Sequence, residues 1–227
     1  MRIKISCFTH IPLNVPRNYQ HILQGIIYSN LGLDVAKQLH DHDSFKNFCF
    51  SNIQGDFITE EDGSITLLNS FHFYVSSSSL VLMSTLINNL SNNDFIRVLS
   101  VPVSIVSIDQ VIPKINSNSV KINMISPVTI YTTENKKTFY YSPQNPKFKE
   151  FINSNFLNKI GDTSGNTRLS LSNFTNVKKI VCKYKGFIIE AYKFKATLNG
   201  NIDDLFLAYD LGLGGKNSQG FGMFEII

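Results

Sequence analysis

Residues 211–227, LGLGGKNSQGFGMFEII, constrain this chain more than any other stretch. Gly212, Gly214, Gly220 and Gly222 form two G-Φ-G units, Φ being Leu213 or Phe221, five residues apart. Glycine lacks a Cβ, so such a loop accepts positive φ and lets its amides approach another backbone closely. A run of exposed N–H groups makes a concavity for a phosphate, and Lys216 adds a positive charge. The plainer alternative is a turn joining a helix to the last strand. The order of residues is neither a Walker A loop nor a dinucleotide-binding fingerprint, because G-K-S/T is absent and the loop does not join a strand to a helix. A helix over 203–210 precedes it and a strand over 221–227 follows.

Upstream, hydrophobic period predicts two similar halves. Residues 2–8 alternate Ile3, Ile5 and Cys7 with polar neighbours, a half-buried strand. Asn18 is a candidate N-cap for a helix over 19–31 with Ile22, Leu23, Ile26 and Ile27 as its stripe, and His21, Gln24 and Tyr28 on another face. Gly32 ends it, and 34–41 reads as a second short helix. Strands are expected over 48–53 and 64–75, then a helix over 80–90 capped by the serine run 76–79. Residues 95–108 read as one long strand bent at Pro102, completing βαββαβ. The polar stretch 112–119 marks a boundary between domains 1–112 and 113–227.

The second half repeats the order less regularly. Strands are expected over 120–131 and 137–141, and Pro146 opens a helix to about 160 with Phe148, Phe151, Ile152 and Phe156 on one side. Residues 161–176 read as a polar loop, and 178–185 with 187–198 as a hairpin around Gly186. The fold class is α+β, two tandem ferredoxin-like domains with the glycine-rich loop before the last strand.

Charge divides the same way. Residues 1–111 hold six Lys and Arg against nine Asp and Glu, and 112–227 hold fifteen against eight, balances of −3 and +7. A basic half points to a polyanion or to a solvated surface. The hairpin carries Lys178, Lys179, Lys183, Lys185, Lys193 and Lys195, with Lys179, Lys183 and Lys185 on one strand face opposite Ile180, Cys182 and Tyr184. Beside a phosphate-seeking loop this reads as a nucleic-acid face without base readers, since no RNA-recognition-motif aromatic pair or zinc knuckle occurs. No apolar run reaches the length of a membrane span, and the first ten residues do not lead into a secretory apolar region. Cys7, Cys49 and Cys182 lack paired spacing and read as reduced core thiols of a cytoplasmic protein.

The segment HDHD, residues 40–43, raises a metal site, but helical residues two apart diverge by about 200° and no third ligand cluster is evident. A lone helix-end histidine such as His40 is otherwise a capping or surface group.

The motif GLGGKNSQGFGM, with NYQHILQGIIYSNL and AKQLHDHDSFKNF near the other end, resembles the CRISPR-associated endoribonucleases that cut the repeats of precursor CRISPR RNA. These are members of the repeat-associated mysterious protein superfamily. The resemblance implies catalysis by His40, aided by Tyr28 from IIY and Lys46 from FKNF, with His42 the rival should the loop shift by two residues. It implies metal-independent attack by the RNA's own 2′-hydroxyl, with no cofactor. The glycine loop and the basic hairpin put the expected RNA contacts at Gly212, Gly214, Lys216, Gln219, Gly220, Lys183, Lys185 and Lys193. CRISPR repeat RNA is the expected partner, with a homodimer or other interference-complex subunits as further ones. The alternative within this resemblance is a non-catalytic RNA-binding subunit of such a complex.

Overall fold

A computed structural model describes residues 1–32, 46–184 and 186–227 of the chain. The expected helix over 34–41, His40, His42 and Lys185 therefore lie outside the described residues. Contacts divide the chain into two units, Met1–Lys46 with Asn52–Ile112 and Asn47–Ser51 with Pro113–Ile227.

In the first unit, β1 (Arg2–Phe8) buries Ile3, Ile5 and Cys7 as its alternation predicts. After β2 (Leu13–Val15) comes α1 (Gln20–Ser29), which buries Leu23, Ile26 and Ile27. Asn18 is not its cap: Tyr19 takes that place with no side-chain cap hydrogen bond. Instead the Tyr19 hydroxyl accepts a hydrogen bond from the Ile53 amide at 3.0 Å, so an aromatic residue anchors the helix start by a long-range bond. The expected strand over 48–53 is replaced by β3 (Cys49–Phe50), which belongs to the second unit, and, back in the first, by β4 (Gln54–Thr59). β4 forms a hairpin with β5 (Ile65–Ser76). Its burial is low throughout, so the apolar signal that marks a strand was weak there.

Ser79 caps α2 (Leu80–Ser91), its hydroxyl accepting from the Leu82 amide, and Leu82, Met83, Leu86 and Leu90 face the core. The expected long strand over 95–108 is in fact a tight hairpin, β6 (Phe95–Val98) with β7 (Val101–Val111). Its turn puts Leu99 at φ +58, a conformation whose usual glycine or asparagine signal is missing. The pairings of β1, β2, β4, β5, β6 and β7 are antiparallel, in the order β4-β5-β1-β7-β6, with β2 continuing the β1 edge of β5. Two helices returning the chain to that order give the split βαββαβ arrangement.

The second unit repeats it. β8 (Ser119–Met124) stops seven residues short of the expectation, and Ile125 and Ser126 turn back to donate to the Met223 carbonyl. A separate hairpin, β9 (Tyr131–Glu134) with β10 (Lys137–Tyr140), precedes α3 (Pro146–Ile160). Asn145 and Pro146 start α3, and Gly161 ends it at φ +69. Phe148 is fully buried and meets Phe174, Tyr192 and Phe194 edge-on at centroid distances of 6.1, 6.4 and 6.0 Å.

The end of the expected loop 161–176 is strand, for β11 (Ser170–Tyr184) starts there and pairs with β12 (Phe187–Asn199). Register shifts after Ser172 and Thr175, with Asn173 and Asn176 at positive φ, break the alternation that would have shown it. After α4 (Ile202–Leu211) and a short 3₁₀ turn, β13 (Phe224–Ile226) closes the sheet. The order β11-β12-β8-β13 is that of the first unit, so the fold is two ferredoxin-like domains. No helix among the described residues is long and apolar enough to cross a membrane.

Candidate functional site

The last turn of α1 presents Tyr28, half-buried, on the side away from Leu23 and Ile27. The Lys46 ammonium stands 5.9 Å from the centre of the Tyr28 ring. Two polar residues picked out separately in the sequence thus share one place in the first unit. A cation over a phenol ring gains about 0.5–1 kcal/mol when exposed, and the Tyr28 hydroxyl oxygen is enclosed. His40, the third member, lies outside the described residues.

The glycine loop is packed rather than open. The Gly212, Leu213, Gly215, Gln219, Gly220 and Gly222 amides all donate to backbone carbonyls, among them Leu213 to Gly222 at 2.8 Å and Gly222 to Pro127 at 2.9 Å. Amides committed in this way are not available to a phosphate without rearrangement. At Gly214 a Cβ would lie 2.7 Å from the Thr129 carbonyl, and at Gly222 it would collide with the Leu213 carbonyl, where φ is +83. Asn217, buried within the loop, donates from Nδ2 to the Leu213 and Phe221 carbonyls at 3.1 and 3.0 Å.

Three further groups brace it. The Ser126 hydroxyl accepts from the Met223 amide, Cys49 Sγ lies 3.4 Å from the Phe221 carbonyl, and Lys159 Nζ donates to the Gly212 carbonyl at 2.7 Å. Burial pushes the Lys159 ammonium down to about 7, although the Cys49 thiol beside it pulls the other way. Sequence reasoning missed these braces. Only Asn217 carried a local signal, as an amide side chain inside the glycine run. Lys216 remains at the surface side of the loop, at φ +58, with its ammonium 4.7 Å from the centre of the Tyr131 ring. The half-buried Gln219 lies beside it with its side-chain oxygen enclosed.

On the hairpin, Lys183 is exposed on one face of β11 while Cys182 and Tyr184 are buried on the other, as alternation requires. Lys179 is drawn to Glu190, with its ammonium 2.9 Å from the carboxylate. Lys193 is half-buried and opposite Lys178; desolvation lowers its pKa, and the charge of Lys178 adds to the effect while Cys182 opposes it. Lys195 is exposed. Between this hairpin, the β9–β10 hairpin and the loop lies a cavity of about 640 Å³ whose lining includes Tyr131, Tyr140, Tyr184 and Phe187 with Lys216 and Gln219.

Comparison with known proteins agrees along the whole chain. Residues 14–109 match the family described as CRISPR-associated protein Cas6, N-terminal, and residues 110–226 match CRISPR associated protein Cas6, C-terminal. The CRISPR-associated endoribonuclease Cas6 1 of Methanocaldococcus jannaschii is 26% identical, over 98% of this chain and 91% of its own. The CRISPR-associated endoribonuclease Cas6 of Pyrococcus furiosus is 25% identical, over 93% and 83%. A solved structure of a Cas6-related protein from Pyrococcus furiosus superposes with a TM-score of 0.86 at 19% identity, covering 100% of this chain and 98% of that one. The twice-wound sheet order, the glycine loop ahead of β13 and the matches over both halves lead to one conclusion: the chain belongs to the CRISPR-associated Cas6 family.

Proposed function

We propose that the chain is an endoribonuclease that cuts the repeats of CRISPR transcripts without a metal ion. The nucleophile is the 2′-hydroxyl beside the scissile phosphate. His40 takes its proton, which a neutral imidazole with a pKa near 6.5 can do at cellular pH. The 2′-oxygen bonds to phosphorus and the bond to the 5′-oxygen breaks, leaving a 2′,3′-cyclic phosphate and a 5′-hydroxyl. Lys46 neutralises the charge that builds on the phosphorane, and Tyr28 orients the phosphate or protonates the leaving oxygen.

The observation that carries this reading is the Lys46 ammonium 5.9 Å from the centre of the Tyr28 ring, which puts a cation and a phenol at one place. The curated relatives' names, both endoribonucleases, support the reaction class. Two domains divide the work, 1–112 for chemistry and 113–227 for grip through Lys183, Lys185, Lys193 and Lys216, the last carried by the glycine loop. The partner is the repeat RNA and the compartment the cytoplasm, where it is transcribed. A second copy or other interference-complex subunits are compatible further partners.

The test is cleavage of a cognate repeat RNA in excess EDTA, beside the same RNA with one 2′-deoxy sugar before the cut. EDTA should leave cleavage intact, and the deoxy RNA should bind yet stay whole. His40→Ala should lose about two or more orders of magnitude in rate with affinity kept. Abolition by EDTA would reject the mechanism. Tight binding without cleavage of any repeat would favour the non-catalytic subunit.

A further inference from the structure

The cavity in the second unit has a composition unlike a simple phosphate site. Its lining includes four aromatic side chains, Tyr131, Tyr140, Tyr184 and Phe187, two of them from a hairpin inserted between β8 and α3. Tyr131 and Tyr140 sit opposite one another in β9 and β10, with ring centres 5.9 Å apart at 50°. The Tyr140 hydroxyl donates to the Ile188 carbonyl at 2.9 Å and so ties the inserted hairpin to the tip of β12. Tyr184 and Phe187 face each other across the β11–β12 turn, and Phe187 is 76% exposed. A phenyl ring left that open at a hairpin tip is costly to solvate unless something covers it.

The polar groups in this cavity are few and specific. Gly215 has only hydrogen where a Cβ would meet the Tyr131 ring at 3.0 Å, so the loop can lie against that ring. This places the Lys216 ammonium over its face. The side-chain oxygen of Gln219 is buried and has no hydrogen-bond partner among the described residues. An acceptor in that state calls for a donor from outside.

We infer that this cavity is a base-stacking subsite that takes one or two unpaired nucleotides of the RNA, the rings covering the base, Lys216 meeting a flanking phosphate and Gln219 accepting from an exocyclic amino group. Aromatic lining, one cation and one amide in a space of about 640 Å³ match a nucleotide in apolar area, charge and hydrogen-bonding capacity. A protein partner is the other occupant the space would take, but the Lys216 ammonium held over the Tyr131 ring in the lining favours an anion. The inference rests on the proposed RNA function and adds to it a place where unpaired bases, rather than phosphates, are held.

The test is equilibrium binding of cognate repeat RNA, and of the same RNA with single abasic positions scanned along it, by fluorescence anisotropy across salt concentrations. The variants are Phe187→Ala, whose ring is too exposed to be needed for folding, and Tyr131→Leu, checked by its melting temperature. Phe139→Ala is the control, a half-exposed ring outside the cavity lining. Each cavity variant should weaken binding by about five- to a hundredfold with an unchanged salt slope, since stacking loses no phosphate contact. The control should bind as the wild type. One or two abasic positions should weaken the wild type and have no further effect in Phe187→Ala. Normal RNA affinity in both Phe187→Ala and Tyr131→Leu would overturn the subsite while leaving the nuclease reading intact. The same holds if those variants bind RNA normally but change the sedimentation of the protein, which would assign the cavity to a protein contact. Failure of the wild type to bind any repeat RNA would overturn both readings.

Discussion

The two ferredoxin-like units wind their strands in the same order and close their sheets in opposite ways. In the first, the closing strand β7 is eleven residues long and pairs along the length of β1, so the sheet's own ladder holds it. In the second, β13 has three residues, and a loop packed by Asn217, Ser126, Cys49 and Lys159 must hold it in place. The first unit carries an acidic balance; the second carries the basic balance, the aromatic-lined cavity and the braced loop. One scaffold thus differs between its two copies in edges and connections, which is where functional residues concentrate when the sheet only provides rigidity.

Glycine substitutions break this contrast most sharply. Gly222→Ala sets a Cβ against the Leu213 carbonyl and Asn217 at a left-handed φ, and neither neighbour can yield without undoing the loop. It should cost about 3 kcal/mol or more and lower the melting temperature by about 10 °C. Gly25→Ala, in the interior of α1 with nothing within 4 Å of the new Cβ, should instead be neutral or stabilise by up to about 1 kcal/mol. Circular-dichroism melts of the two variants decide it. Equal small effects would mean that the loop is not the clamp that closes the second sheet.

The same contrast shows why the fold was more legible than the site. The repeated βαββαβ order could be read because helices α1 to α4 have full apolar stripes and three have ordinary caps, at Ser79, Asn145 and Asn201. What escaped was turn chemistry: Leu99 at positive φ hid a hairpin, and bulges at Asn173 and Asn176 hid the start of β11. Tyr28 and Lys46 were chosen through their motif, and the structure sets the Lys46 ammonium 5.9 Å from the centre of the Tyr28 ring. The availability of the loop amides was overread, because spacing shows that glycines permit close approach but not to which backbone. Lys159 and Cys49 reach the loop from 53 and 172 residues away, distances at which a single sequence carries no pairing information.

Lys159 offers the next test of the clamp. Its pKa in the folded chain, about 7, is below the usual 10.5, so between those values the unfolded chain binds a proton that the folded chain does not. Stability from this group therefore rises with pH above about 7, by at most about 1.4 kcal/mol per pH unit. Lys159→Met removes that dependence. The melting temperature of the wild type minus that of Lys159→Met should climb by several degrees between pH 7 and pH 9. A difference that stays flat would show that the ammonium is solvated and does not sit buried against Gly212.

The smallest expected effects concern the grip, and they test whether the basic balance of the second unit acts through the hairpin face. Each lysine that neutralises one RNA phosphate contributes roughly 0.7–0.9 to the slope of log affinity against log salt. Lys183→Ala with Lys195→Ala, both exposed, should lower that slope by about one and a half and weaken binding by about tenfold at moderate salt. Lys179→Ala should do less. Its ammonium is already 2.9 Å from Glu190, so an RNA phosphate would have to compete with a carboxylate for it, and the slope should fall by well under one. Lys179→Ala in a Glu190→Gln background should recover a full decrement relative to Glu190→Gln alone, because the amide no longer holds the cation. Slopes unchanged in every variant would remove the hairpin from the RNA path and leave Lys216 and the cavity as the second unit's contact with the strand.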